Sequence, residues 1–203
     1  MFNQSEIDKN WFLQCLKNND LIKKIKNIKL IICDIDGALT DAQIYLSPDF
    51  LCKAFSVQDG FIIDRSLKKN ILDFAFLSGR NDEVTKIRAK QLGIPEDMCY
   101  IGFCVSKIEK VKEIQKKKKL SSIETLHFGD DFLDFEVKSN INLFVCPSNT
   151  PFYLQEKADL IVPRSGGNSP LRLLLDLILY VQEKHPFGQN MIAESLKRNL
   201  LNE

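Results

Sequence analysis

The stretch 29–40, KLIICDIDGALT, most constrains the fold open to this chain. Leu30, Ile31, Ile32 and Cys33 run apolar without a break, and Asp34, Asp36 and Gly37 follow at once. A continuous apolar run ending in polar and glycine residues reads as a buried strand running into a loop. In open α/β sheets, ligands bind in the crevice beyond the carboxyl ends of the strands. Two carboxylates gathered there repel each other and lose hydration. A hard cation such as Mg²⁺ relieves that cost directly. A solvated acidic turn is the plain alternative, and this stretch alone does not choose between them.

The rest of the chain repeats the pattern. Residues 71–80, ILDFAFLSGR, read as a second buried strand ended by Ser78, Gly79 and Arg80. That loop offers a hydroxyl and backbone N–H groups for an oxyanion, and a guanidinium that matches a carboxylate or phosphate in two parallel bonds. Residues 123–129, IETLHFG, form another such strand, and Asp130, Asp131 and Asp134 follow it. Shorter strands are expected at 98–102, 142–146 and 158–162. Helices are expected at about 81–92, from Ser106, at 151–157 and at 170–183. Alternation of this kind predicts an α/β fold, a doubly wound, mostly parallel, Rossmann-like sheet. Val84, Ile87, Arg88 and Gln91 or Leu92 are the expected inner face of the helix at 81–92, with Gly93 and Pro95 ending it. A helix opening at Asp59-Gly60 should turn Ile62, Ile63, Ser66 and Leu67 inward. Between the first acidic loop and that helix, Ala42–Leu46 and Cys52–Val57 read as two strands around the turn SPDF (47–50). A two-stranded ribbon is marginal alone, so this hairpin is expected to pack on copies of itself.

A chain of 203 residues suits one domain with small appendages. The expected division is a helical extension at 1–27, a core at 28–185 carrying the hairpin cap at about 42–57, and a tail at 186–203. A net charge of +1 gives no argument for nucleic acid, and Lys116–Lys119 read as a solvated helix end. The six cysteines form no C-x-x-C pair and lie partly inside apolar runs, which favours reduced, buried thiols in a cytoplasmic protein. No apolar run approaches the length that spans a bilayer. His127, inside a strand, reads as a satisfied core residue.

Together these groups make a phosphoryl-transfer set. Asp34 is the expected nucleophile, and Asp36 the acid and then the base. Mg²⁺ would be held by Asp34, the backbone carbonyl of Asp36 and Asp130, with Asp131 or Asp134 assisting. Ser78, Gly79 and Lys107 would hold the phosphoryl oxygens. Lys107 lies in the first turn of its helix, where a cation is disfavoured unless an anion answers it.

In order, DIDGALT, LSGR, Lys107 and GDDFLD resemble the four motifs of the haloacid dehalogenase-like phosphatase superfamily. TDAQIY (40–45), KAFSVQDG (53–60), RAKQLGI (88–94), SGGN (165–168) and Gly188-Gln189 are similar to its small-cap branch, which contains 3-deoxy-D-manno-octulosonate 8-phosphate phosphatase. The resemblance implies a Mg²⁺-dependent phosphatase for a phosphorylated 2-keto-3-deoxy sugar acid of lipopolysaccharide synthesis. A nonulosonic acid 9-phosphate is the alternative substrate, and a non-catalytic binding module the alternative role. It further implies a homotetramer assembled through the hairpins, a supporting role for Thr40, and substrate contacts from Arg80, Lys53 and the tail residue Gln189. Neither nucleic acid nor membrane insertion is expected. Where the branch usually carries glycine after Thr-Asp, this chain has Ala42.

Overall fold

A computed structural model describes residues 3–102 and 106–200. Two helices open the chain, α1 (Gln4–Lys17) and α2 (Asn19–Asn27), each started by an asparagine. The Asn3 side chain accepts from the Ser5 N–H and that of Asn18 from the Leu21 N–H, satisfying donors that a helix leaves open at its first turn. Strand β1 (Leu30–Cys33) follows with all four side chains buried. The loop after it leads into a hairpin of two-residue strands, β2 (Tyr45–Leu46) and β3 (Leu51–Cys52). These are shorter than the sequence suggests, because none of the described residues covers the ribbon: Tyr45, Leu46 and Phe50 are exposed. The SPDF turn forms as expected, with the Ser47 hydroxyl accepting from the Asp49 and Phe50 N–H groups.

Helix α3 (Val57–Lys68) starts two residues before Asp59, since the Ser56 hydroxyl caps it by accepting from Gln58 and Asp59. Ile62, Ile63 and Ser66 face inward. Strand β4 (Asp73–Ser78) and helix α4 (Glu83–Gln91) come next. The inner face of α4 differs from the expected one. Thr85 and Ala89 are buried with Leu92 at the helix end, while Ile87 is exposed, so along the helix itself small side chains that allow close approach define the contact. Strand β5 (Cys99–Ile101) is the sheet edge, and α5 (Lys107–Lys118), capped by Ser106, buries Val111, Ile114 and Gln115. Its lysine-rich end is held by ion pairs, Lys117 to Asp97 at 2.7 Å and Lys118 to Asp73 at 2.6 Å.

Strand β6 (Thr125–Phe128), the one-turn helix α6 (Phe132–Phe135), a 3-10 turn (Glu136–Asn140), β7 (Leu143–Pro147), the one-turn α7 (Phe152–Gln155) and β8 (Leu160–Val162) complete the sheet. Its six strands run in the order β5-β4-β1-β6-β7-β8, every pairing parallel. The order reverses at β1, which places the loop beyond Cys33 at a topological switch point. Helix α8 (Pro170–Val181) buries eight of its residues and packs against α1, α2 and α3. Phe12 meets Tyr180 edge to face at 5.7 Å. Helix α9 (Gln189–Leu200) forms the tail. Among the described cysteines all are free; Cys15, Cys33 and Cys146 are buried, but Cys52 is exposed on the unsupported hairpin and Cys99 is half-buried at the sheet edge. Cys104 lies outside the described residues. No described helix is long and apolar enough to cross a membrane.

Candidate active site

The parallel register brings the carboxyl ends of β4, β1 and β6 side by side, with Cys33 level with Phe76 and Phe128. Three polar loops therefore open into one crevice. The loop after β1 is tied from within by Thr40, whose buried hydroxyl donates to the Ile35 carbonyl at 3.3 Å and accepts from the Gly37 N–H at 3.3 Å. Gly37 has φ +95°, and a Cβ there would lie 2.0 Å from Asp130 Oδ2. Only glycine lets the two acidic loops approach this closely.

Lys107 reaches the crevice from the first turn of α5. Its Nζ donates to Asp34 Oδ1 at 2.7 Å and to Asp134 Oδ1 at 2.6 Å, with the side chain almost wholly buried. These anions answer the unfavourable position of a cation at a helix start. Burial opposes a charged lysine, yet Asp34 and then Asp134 outweigh it and hold the Lys107 pKa above its usual value. Asp34 is pushed well up by burial and then by Asp134, against the pull of Lys107. Burial alone would raise Asp134 too, but Lys107 and His127 hold it low. Asp130 is raised to about 7, by burial first and then by Asp134 and Asp131.

Carboxylate oxygens of Asp34, Asp130 and Asp134 lie within 4.8 Å of one another, and Asp130 Oδ1 is buried with no hydrogen-bond partner among the described residues. Crowded, desolvated, oxygen-only donors with one oxygen unanswered fit a hard divalent cation. Asp134 is the least free of the three, since its Oδ2 also accepts from the N–H groups of Asp130 and Asp131 at 3.2 Å. Asp131 is turned outward and caps α6 through the Phe132 N–H.

Asp36 sits between two cations. Lys53 Nζ is 2.7 Å from its Oδ1, and Arg80 Nε is 3.5 Å from its Oδ2. Lys53 leaves the hairpin arm to be fully buried, with Asp82 as its second partner at 2.6 Å. Asp82 also caps α4 by accepting from the Thr85 N–H, and although burial opposes it, Lys53 and Thr85 hold its pKa low. Ser78 ends β4 with a buried hydroxyl that accepts from the Arg80 N–H, and Gly79 faces open space. Thus Asp34, Asp36, Ser78, Gly79, Arg80, Lys53, Lys107, Asp130 and Asp134 meet at one crevice. Gln189 does not: its amide donates to the Tyr180 carbonyl at the opposite end of α8.

Three residues at the crevice were not legible as site residues. Asp82 belongs to none of the motifs, and its pairing with Lys53 across 29 residues leaves no local signal. His127 is buried as expected, but its Nε2 lies 2.7 Å from Asp134 Oδ1, which joins it to the lysine. Asn149 braces the first loop, donating to the Gly37 carbonyl at 2.9 Å and accepting from the Gly166 N–H at 2.7 Å. The only sequence signal near it was the strand expected at 142–146, just before it.

No family model matches the chain. It is 32 % identical over 167 residues to the 3-deoxy-D-manno-octulosonate 8-phosphate phosphatase KdsC of Yersinia pestis, covering 82 % of this chain and 87 % of that one. Against KdsC of Escherichia coli K12 the identity is 31 % over 166 residues, covering 81 % and 86 %. The crystal structure of the Moraxella catarrhalis 3-deoxy-D-manno-octulosonate 8-phosphate phosphatase, in complex with magnesium, phosphate and KDO, aligns with a TM-score of 0.76 at 28 % identity over 87 % of this chain and 98 % of that one.

Acids and a lysine gathered beyond the switch-point strand, under a hairpin too small to be a lid, define a phosphomonoester hydrolase of the haloacid dehalogenase type. Within that superfamily, the chain belongs to the 3-deoxy-D-manno-octulosonate 8-phosphate phosphatase family.

Proposed function

We propose that this protein hydrolyses a phosphorylated 2-keto-3-deoxy sugar acid, foremost 3-deoxy-D-manno-octulosonate 8-phosphate, with Mg²⁺ as cofactor. One observation carries the reaction: Lys107 bridges Asp34 and Asp134 beside Asp130, where a dianionic phosphoryl group would find both a nucleophile and positive charge. The substrate rests on the likeness to the Yersinia and Escherichia enzymes.

Asp34 attacks phosphorus, and the bond to the sugar oxygen breaks as the aspartyl-phosphate forms. Asp36 gives its proton to the departing alkoxide, then takes one from the water that attacks the aspartyl-phosphate and releases inorganic phosphate. The ion pairs to Lys53 and Arg80 hold the Asp36 carboxylate at the crevice, which supports this reading. Lys107, the Ser78 hydroxyl and the Gly79 N–H are the partners for the phosphoryl oxygens. Asp34, the Asp36 carbonyl and Asp130 would hold Mg²⁺, which supplies charge against those oxygens. Thr40 keeps the nucleophile loop in shape. Arg80, half-exposed at the rim, is the partner for the substrate carboxylate. Lys53 contributes from the hairpin arm while bound to Asp36 and Asp82. Gln189, remote from its own crevice, would serve a neighbour's site through the tail.

The same reading takes 1–27 as a helical extension, 28–185 as the core with the hairpin as its cap, and 186–203 as the tail. It includes a homotetramer built on the exposed hairpins. Five free thiols among the described cysteines support a reducing, cytoplasmic setting. The test is phosphate release with Mg²⁺ across 3-deoxy-D-manno-octulosonate 8-phosphate, a nonulosonic acid 9-phosphate and neutral sugar phosphates. The octulosonate should give the highest kcat/KM, and Asp34→Asn should abolish release while keeping the fold. Equal efficiency on neutral sugar phosphates removes the substrate, and near-normal turnover by Asp34→Asn removes the covalent mechanism.

A further inference from the structure

Asp134 is a carboxylate with no spare capacity. Its Oδ1 takes the Lys107 ammonium at 2.6 Å and lies 2.7 Å from His127 Nε2, while its Oδ2 takes the N–H groups of Asp130 and Asp131. A carboxylate held this way cannot swing, so it acts as a fixed anvil against which the lysine is set. Three of its donors belong to the loop and helix any chain needs to build the crevice. The fourth is an imidazole from the middle of β6, fully buried, with one ring face tilted against Phe144 at 5.7 Å.

We infer that His127 is a positioning residue for phosphoryl transfer: by donating from Nε2 to Asp134 it fixes the carboxylate that aims the Lys107 ammonium at Asp34 and at the phosphoryl oxygens. This rests on the function proposed above. The geometry gives a definite tautomer. Nε2 faces a carboxylate and must carry the hydrogen, whereas Nδ1 is buried without a partner among the described residues. A bare lone pair in that position costs less than an unpartnered N–H. The chain therefore reads His127 N–H to Asp134, Lys107 N–H to Asp134 and Lys107 N–H to Asp34. Removing the first link leaves Asp134 one donor short and lets the shared oxygen, and the lysine with it, relax. A misplacement of about 1 Å can cost on the order of 100-fold in rate.

The test compares His127→Phe, which keeps a ring and removes the donor, with His127→Gln, whose amide nitrogen can stand where Nε2 stands. His127→Phe should lower kcat about 10-fold or more and weaken competitive inhibition by inorganic phosphate, a readout of Lys107 placement that packing alone would not move. His127→Gln should recover both to within about threefold of wild type. A folded His127→Phe with unchanged kcat and unchanged phosphate inhibition overturns the inference. Nitrogen-15 NMR of the wild-type imidazole decides it independently of any variant's folding: protonation at Nε2 supports it, and protonation at Nδ1 overturns it. If wild-type protein released no phosphate from any sugar-acid phosphate, the proposed function would fail, while the NMR measurement would still decide whether His127 donates to Asp134.

Discussion

Ala42 holds a backbone φ of 63° in the loop that leaves the nucleophile strand. Left-handed backbone costs a side-chain-bearing residue about 1–2 kcal/mol, and glycine returns roughly 0.5–1 kcal/mol of that in unfolded-chain entropy. Ala42→Gly should therefore stabilise the protein by about 0.5–1 kcal/mol in urea denaturation. The departure from the branch was legible at this position, but its backbone consequence was not, because one residue's φ depends on how the loop closes. Asp59 shows the same limit. It reads as a helix-opening residue, yet it is buried, accepting from the Arg172 N–H at 2.6 Å, and burial lifts its pKa to about 7 despite that bond and nearby arginines. The folded pKa lies above the unfolded value, so the native state binds the proton more tightly, and the contribution of Asp59 to stability falls as pH rises from about 4 to about 7. Asp59→Asn, which can still accept from Arg172, should flatten that slope, with a gain over wild type near pH 8 of up to ~4 kcal/mol. Parallel urea titrations at pH 5 and pH 8 measure it, and an identical pH slope in both proteins would refute it.

Among the elements, the strands were the most legible. A strand buried on both faces needs an unbroken apolar run, and Leu30–Cys33 and Phe74–Leu77 supply one that no local context could reinterpret. The inner face of helix α4 was legible only in part: Leu92 is buried, but Ile87 is not, because the buried side is set by the close approach of Thr85 and Ala89, and small residues carry little signal in a hydrophobic pattern. The hairpin strands were read too long because alternation there has no core beneath it. Helix α1 falls within the helical extension expected at 1–27, but its anchorage was not legible. Asp8 pairs with Arg164 at 2.6 Å, Trp11 Nε1 donates to the Ile161 carbonyl at 2.7 Å, and the partners stand some 150 residues away in the chain. Arg164 precedes the loop whose Gly166 rests on the nucleophile loop, so α1 braces the site from a distance. Asp8→Ala should cost about 1–2 kcal/mol of stability and lower kcat modestly, without the loss of phosphate affinity expected for a residue at the crevice. An unchanged melting temperature and unchanged kcat would show that the brace is idle.

For the molecule as a whole, the exposed hairpin is the least self-sufficient part. Leu46 is 73 % exposed and Phe50 62 % exposed on a ribbon with two residues per strand, and such ribbons are marginal in water. On the proposed assembly, a double change, Leu46→Lys with Phe50→Lys, should leave the core folded but shift light scattering from the proposed tetramer to smaller species, with a raised KM. Wild-type protein that is monomeric at assay concentration would defeat the assembly.

Gly37 and Gly166 also bear on how such a centre could be copied. A Cβ at Gly37 would strike the Asp130 carboxylate at 2.0 Å, and one at Gly166 would strike the Gly37 carbonyl at 2.0 Å. The three strand-end loops are stacked with no room for a single methyl between them. A designer who grafted residues 34–40 alone onto another parallel sheet would move one layer of a three-layer joint, and the acids would arrive without the walls that set their spacing. The smallest portable unit is the trio of loops at 34–40, 129–134 and 163–169, carried together on β1, β6 and β8 with β7 between the last two.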